Sequence, residues 1–216
     1  MWDPAVQEAI EGKLGTGFEG TPERLLGLDV LTVHHARSLD GLSACRNLAI
    51  LVLDGCELAN LDELSRLPSL GLVSASDSAV GDIGAISELN VHTVHIKRSG
   101  PTDIDPLLRC SGLVEARLDG TALPDDAYDR VIPELKGMRC RVSFPDDTER
   151  ALTSLLRQAG LAMNCYKRGD AYHLCRPGLS LTDRPEVNHP AVSPEDLRAI
   201  LTSDPGKVAT LFEPSP

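Results

Sequence analysis

Apolar residues recur along the first two thirds of this chain with a spacing of 20 to 22 residues. The first apolar positions of the successive units are Leu28, Leu48, Leu70, Val91 and Leu113. In every unit, apolar or small residues follow three and five positions after the start. This alternation predicts a short strand in which every second side chain faces inward. We therefore expect five stacked units that share one continuous core.

After each predicted strand, the apolar period changes. A turn residue comes first, at Ala36, Cys56, Ser78, Ser99 and Thr121. In the second unit, apolar residues then recur at every third position, at Leu58, Leu61, Leu64 and Leu67, and the third unit does the same at Val80, Ile83, Ile86 and Leu89. A three-residue period favours a 3₁₀ or otherwise tight return over a long α-helix. The pattern is thus that of an α/β solenoid with short repeats.

The clearest unit, LAILVLDGCEL from Leu48 to Leu58, matches the leucine-rich-repeat template L-x-x-L-x-L-x-x-N/C-x-L at every defined position. With the helical start Asp3-Pro4-Ala5 and the lead-in from Leu25 to Val33, residues 1–144 resemble bacterial short-repeat proteins of the internalin type. The resemblance implies a protein-binding leucine-rich-repeat horseshoe, with no catalytic residues to transfer. Cys, Ser or Thr replaces the common Asn after the strands, and no secretion or wall-anchoring segment is visible, so adhesin behaviour is not implied.

The sequence divides into three predicted parts. Residues 1–24 form an N-terminal helical cap, because Val6, Ile10 and Leu14 make one apolar stripe behind an Asp3-Pro4 start. Residues 25–145 hold the repeats and end in a closing strand, Gly137 to Phe144, with Arg139 and Arg141 facing outward. Residues 146–216 form a small α/β C-terminal domain or cap, which resembles no family that we recognise.

The C-terminal part has its own pattern. A helix is predicted from Asp146 to Ala159, and its expected apolar face is Ala151, Leu152, Leu155, Leu156 and Ala159. A hairpin turning at Arg168-Gly169 would follow and place Cys165 opposite Tyr172. We further expect a short helix from Ser193 to about Leu201 and an extended tail.

The charge is concentrated in the repeats. The chain of 216 residues has a net charge of −11, and residues 1–145 carry 22 acidic and 13 basic side chains. This balance argues against nucleic acid as a ligand and is compatible with a basic protein partner. The sequence has neither an apolar run of membrane-spanning length nor a start typical of a signal peptide, so we expect a cytoplasmic protein without membrane contact.

Metal and cofactor sites are not predicted. The six cysteines show no Cys-x-x-Cys spacing and are expected to be reduced, mostly as small buried apolar groups. His34 and His95 lie three repeats apart, roughly 14 Å at the spacing of neighbouring strands, so they cannot share one ion.

The candidate binding residues lie between the inward positions of the strands, on the face that is concave in a curved solenoid. Three columns are expected to cross the repeats on this face: Val30, Ile50, Leu72, Thr93 and Glu115; Thr32, Val52, Ser74, His95 and Arg117; and His34, Asp54, Ser76, Lys97 and Asp119. Exposed apolar side chains beside charged ones are typical of a protein-binding surface. The predicted protein-binding residues are Val30, Ile50, Val52, Leu72, His95, Lys97, Arg117 and Arg139.

Two alternatives stay open at this point. The apolar positions could reflect strand preference alone, or the C-terminal part could fold back over them. The function could also be that of an enzyme or an enzyme accessory subunit whose working part is the C-terminal region. Its polar aromatic candidates are Tyr166, Tyr172 and His173. The favoured hypothesis is a non-enzymatic adaptor, inhibitor or immunity-like protein.

Overall fold

The structure is a computed structural model, and it describes residues 2–15 and 22–212. It begins with α1 (Pro4–Leu14), in which Asp3 is the N-cap and accepts hydrogen bonds from the backbone of Ala5 and Val6. A short helix, α2 (Pro22–Leu25), precedes the first strand. Val6 and Ile10 of α1 are fully buried in the same core as the repeats.

The repeats supply eight strands. They are β1 (Val30–His34), β2 (Ile50–Asp54), β3 (Glu57–Asn60), β4 (Leu72–Ser76), β5 (Ala79–Asp82), β6 (Thr93–Lys97), β7 (Glu115–Arg117) and β8 (Arg141–Ser143). Six of them form an all-parallel sheet in the order β1-β2-β4-β6-β7-β8, and β3 pairs with β5 in a separate parallel sheet. The five predicted unit starts are at most 6% exposed, which confirms the predicted register.

The returns between strands are 3₁₀ segments, as the three-residue period predicts. They span Leu42–Ala44, Asp62–Arg66, Gly84–Glu88 and Asp105–Arg109. The apolar ladders of the second and third units are buried throughout, from Leu58 to Leu67 and from Val80 to Leu89. The buried side chains of strands and returns together make one elongated core.

A left-handed residue follows each of the first five strands of the large sheet. These residues are His35, Gly55, Asp77, Arg98 and Gly120, all with φ between 50° and 65°. Each lies seven positions after the start of its unit, so the chain turns away from the sheet in the same way every time. Only two of the five are glycines, which is why residue type alone does not reveal this turn.

The closing strand is shorter than predicted. An unpredicted helical stretch precedes this strand in the sequence. It consists of a π-helix (Ala127–Val131) and of α3 (Ile132–Gly137). The strand itself is only Arg141–Ser143, and Arg139 lies in a turn with a φ of 64°. The predicted strand over residues 137–144 was therefore wrong at its beginning, because α3 extends to Gly137 and the chain turns at Met138 and Arg139 before it enters the sheet.

The C-terminal part contains α4 (Asp147–Gln158), β9 (Asn164–Arg168), β10 (Ala171–Cys175), β11 (Ala191–Val192) and α5 (Pro194–Ser203). Its strands form an antiparallel sheet in the order β11-β10-β9. Asp146 and Glu149 make the predicted capping box. A second apolar core forms around Leu152, Leu156, Met163 and Leu174.

Three details of the C-terminal part differ from the prediction. Cys165 faces Leu174 instead of Tyr172, because the turn is Gly169-Asp170 with Gly169 at positive φ. The shift is two residues, so the predicted side chains still share one face. Ala151 and Ala159 are exposed. Residues Pro205–Phe212 form a 3₁₀ segment that buries Val208 and Phe212, so the tail is not extended there, and residues 213–216 lie outside the described residues.

None of the helices in the described part of the chain is long and apolar enough to cross a bilayer. All six cysteines are free and buried. Burial raises the pKa of the Cys56 thiol to about 11, which disfavours its reactive thiolate form.

Candidate functional site

Two of the three strand columns predicted from the sequence are complete in the structure, and the third ends at Lys97, because β7 ends at Arg117 and Asp119 lies in a turn. The first column consists of register partners on adjacent parallel strands, namely Val30, Ile50, Leu72, Thr93, Glu115 and Arg141. The second column contains Thr32, Val52, Ser74, His95, Arg117 and Ser143. These side chains lie on the sheet face opposite the core, which we call the concave face, following the sequence analysis.

The early half of this face is apolar. Val30, Ile50, Leu72 and Val52 are half-buried, so they are less exposed than the sequence analysis expected. Neighbouring strands in the register lie roughly 4.8 Å apart, so the first three of these side chains form a continuous apolar strip. A cleft of about 820 Å³ lies between α1 and β1, with Ala5, Ala9 and Thr32 of the second column in its lining.

The late half of the concave face is charged and centred on Glu115. Its carboxylate accepts a hydrogen bond from Arg117 Nε at 2.5 Å and another from Arg141 Nη2 at 2.6 Å. His95 Nε2 lies 3.4 Å from Glu115 Oε1. The hydrogen bond from Arg117 is the main reason that the pKa of Glu115 is below its usual range. Glu115 is thus ionised and forms hydrogen-bonded ion pairs with two arginines.

His95 joins the two halves. It follows Val52 and Ser74 in the second column, and its side chain is only 18% exposed. Burial, and next the positive charge of Lys97, lowers the pKa of His95. A neutral imidazole at neutral pH is therefore the expected state at the boundary between the apolar and charged regions.

The structure brings together seven of the eight predicted binding residues and separates one. Val30, Ile50, Val52, Leu72, His95, Lys97 and Arg117 lie in the strand columns. Arg139 lies in the turn after α3 and outside these columns. Arg141 occupies the column position beside Glu115 instead. The unpredicted helix before β8 is the physical reason for this displacement.

Comparison with known proteins bears on the fold. No protein-family model and no curated protein matches this chain. Among solved structures, internalin C2 from Listeria monocytogenes is similar, with a TM-score of 0.51 and 22% sequence identity over 74% of this chain and 72% of that chain. This chain has an internalin-like leucine-rich-repeat fold. The likeness concerns the fold alone, so the binding face must be argued from the chain's own residues.

Two further solved structures resemble this internalin-like solenoid. One is an internalin, InlF, from Listeria monocytogenes, with a TM-score of 0.39 and 17% identity over 71% of this chain and 60% of that chain. The other is a leucine-rich-repeat protein from Leptospira interrogans, with a TM-score of 0.48 and 19% identity over 59% of this chain and 34% of that chain.

The C-terminal part docks on the left-handed turns of the internalin-like solenoid. Asn164 is fully buried and donates hydrogen bonds to the carbonyl oxygens of Ser99 and Gly120, at 2.6 and 3.1 Å. Gly178 N–H donates to the carbonyl oxygen of Asp77 at 2.9 Å, and Glu186 lies 3.1 Å from His35. These contacts lie at the ends of the strands and not on the apolar strip.

Sequence reasoning did not predict this junction, and it named Tyr166 only as a candidate of the enzyme hypothesis. Arg98 holds Asp77, and its guanidinium carbon lies 5.3 Å from the centroid of the Tyr166 ring. The Tyr166 hydroxyl lies 2.8 Å from His189 Nδ1. The only available signal was the recurrence of a turn position seven residues after each unit start, with a different residue type in most repeats.

Proposed function

We propose that this chain is a non-enzymatic protein-binding module whose partner lies on the concave face. The observation that carries the proposal is the strip of Val30, Ile50 and Leu72, in register on adjacent strands and next to the charged group around Glu115. An apolar centre with a polar rim is the arrangement on which protein partners dock. An adaptor, inhibitor or immunity-like role would use such a surface.

The alternative of fold-back by the C-terminal part receives no support. Asn164 and Gly178 contact the left-handed turns, and Ser180 donates a hydrogen bond to Glu57 of β3. Among the described residues, no hydrogen bond or ion pair joins residues 146–212 to the strip of Val30, Ile50 and Leu72. The residues of the apolar strip are half-buried and not fully covered. The strip therefore has side-chain surface left for a partner.

The rival enzyme hypothesis fits the C-terminal side chains poorly. Tyr166 is 8% exposed, stacks on His173 with ring centroids 5.6 Å apart, and contacts His189. Burial raises the pKa of Tyr166, which is the opposite of an activated phenol. Tyr172 packs against the second apolar core. Tyr166 is engaged at the junction with the repeats, and Tyr172 and His173 are engaged in packing within the C-terminal part.

The three-part organisation completes the proposal. Residues 1–24 and 146–216 would act as caps of the repeats in 25–145, because a solenoid must cover the apolar ends of its core. A cytoplasmic location is supported by the six free cysteines, since disulfides are common in oxidising compartments.

Affinity capture with paired variants tests this function. We would compare the unmodified chain with Ile50→Asp/Leu72→Asp and with Ile50→Thr/Leu72→Thr, which keeps strand preference while adding polarity. Leu181→Asp is the matched control, because Leu181 is 45% exposed in the C-terminal part. A partner retained by the control and lost from both concave variants supports the proposal. A partner retained by every folded variant contradicts it.

A further inference from the structure

The charged end of the concave face is richer in hydrogen-bond donors than in acceptors. Arg117, Arg141, Glu115, Asp119 and Ser143 line an open cleft of about 450 Å³. Both carboxylate oxygens of Glu115 are occupied by the arginines, and Asp119 Oδ2 accepts from Ser143 Oγ at 2.8 Å. In the described residues, each arginine donates one hydrogen bond to a protein acceptor, out of the five N–H groups that a guanidinium carries.

These arginines are positioned and yet accessible. The side chain of Arg141 is 80% exposed and that of Arg117 is 49% exposed, whereas Glu115 is only 14% exposed. The half-buried carboxylate holds one donor of each guanidinium, and the other donors form no hydrogen bond within the described residues. Lys97 adds a third cation in the neighbouring column position. This arrangement matches the fork geometry with which arginine binds a carboxylate.

We propose that Arg117 and Arg141 form a carboxylate-binding site that receives an acidic side chain of the protein partner. This inference rests on the proposed function, and it specifies the chemistry of the partner. It also differs from the interpretation of the net charge of −11 as compatible with a basic partner. The local supply of hydrogen-bond donors from Arg117 and Arg141 decides this contact, because a carboxylate is bound by donors at contact distance and not by the net charge of the whole chain.

The register sets the spacing that the partner must match. Leu72 and Arg141 occupy the same column on β4 and β8, with β6 and β7 between them. Three strand spacings amount to roughly 14 Å, which equals about ten residues of α-helix. A partner helix that crosses the strands would thus present apolar residues at one end and Asp or Glu about three turns away.

The test is a selection from a displayed library of 16-residue random peptides on the intact chain, followed by affinity measurements with the enriched peptides. The variants are Arg117→Gln/Arg141→Gln, Arg117→Lys/Arg141→Lys and the concave pair Ile50→Thr/Leu72→Thr. The control is Arg198→Gln, which removes the same kind of charge from an exposed position on α5. Circular dichroism and thermal unfolding establish that each variant is folded.

The expected result is enrichment of Asp or Glu together with apolar residues, and binding about tenfold weaker for Arg117→Gln/Arg141→Gln. The affinity of Arg117→Lys/Arg141→Lys should lie between that of the unmodified chain and that of Arg117→Gln/Arg141→Gln. The Arg198→Gln variant should bind the peptides as tightly as the unmodified chain does. A peptide whose acidic residue is replaced by Lys should bind the Arg141→Glu variant more tightly than it binds the unmodified chain, because the charges of the pair are exchanged.

Other results separate the inference from the function on which it rests. Enrichment of basic peptides, or binding that is lost in Ile50→Thr/Leu72→Thr and unchanged in Arg117→Gln/Arg141→Gln, overturns the carboxylate site alone. Binding that is unchanged in all three variant pairs, or no enrichment on the intact chain, counts against the concave face as the binding surface.

Discussion

Arg98 and Asp77, from consecutive repeats, form a bidentate ion pair in which Arg98 Nε and Nη2 donate to Asp77 Oδ1 and Oδ2 at 2.6 and 2.5 Å. Both occupy left-handed turns, and the Asp77 side chain is only 3% exposed. Because Arg98 also lies over Tyr166, the pair links two repeats to the C-terminal part. The internalin-like solenoid and its C-terminal part are therefore coupled through one shared edge.

Removal of Arg98 should destabilise the protein strongly. Arg98→Ala leaves the Asp77 carboxylate buried without its main partner, and we expect a loss of about 3 kcal/mol in the free energy of unfolding. Arg130→Ala is the matched control, because Arg130 pairs with Asp105 and Asp126 at the surface, where solvent screens the ion pairs, so its loss should destabilise the protein much less than the loss of Arg98. Urea unfolding measures both. Equal losses in the two variants would show that the buried pair has no special role.

Gly120 should be far less tolerant of alanine than Gly169. Both residues have a φ near 65°, so alanine is strained at both, by about 1 kcal/mol. A Cβ at position 120 would lie 2.5 Å from Tyr166 Cβ, whereas a Cβ at position 169 meets nothing within 4 Å. We expect Gly120→Ala to cost about 1–3 kcal/mol more than Gly169→Ala, because Tyr166 must move. Thermal unfolding of the two variants compares them directly, and similar stabilities would argue against close docking at this turn.

His95 should titrate below its ordinary pKa of 6.5, because burial and Lys97 disfavour its charged form. A base whose pKa is depressed by folding contributes stability that is present above pH 6.5 and is lost as the pH falls through the lowered value. Nuclear magnetic resonance titration of the imidazole measures the midpoint, with His95→Gln identifying the signal. Lys97→Gln should raise the midpoint, and Glu115→Gln should lower it. A midpoint at or above 6.5 in the unmodified chain would contradict the described surroundings of His95.

The repeats could be predicted from the sequence because their information is local and recurs five times. Leu48, Leu51 and Leu53 define a strand by spacing alone, and the three-residue period after Leu58 defines its return. Two of the predicted columns then follow from the parallel register, which all units share. Seven of the eight candidate binding residues come from the five repeats, over which the spacing of 20 to 22 residues is kept.

Prediction failed where the structure depends on contacts that have no period. Arg139 was misplaced because residues 127–137 adopt a helical return that the 3₁₀ pattern of earlier units does not suggest. The hairpin register was wrong by two residues because either Arg168-Gly169 or Gly169-Asp170 could form the turn. Asn164 docks on Ser99 and Gly120, which are 65 and 44 positions away in the sequence. A single sequence contains no periodic pattern that predicts such a contact.

The central claim is that a protein partner lies on the concave face, and site-specific photocrosslinking tests it most directly. A benzoylphenylalanine would replace Ser74, which lies in the second column between Val52 and His95. The control places the same group at Arg66, which is 67% exposed in a 3₁₀ return. After irradiation in the native cell lysate, we predict one discrete protein adduct from position 74 and none of that mass from position 66. The same adduct from position 66, or adducts from neither position while Leu181→Asp still captures a partner, would contradict binding on this face.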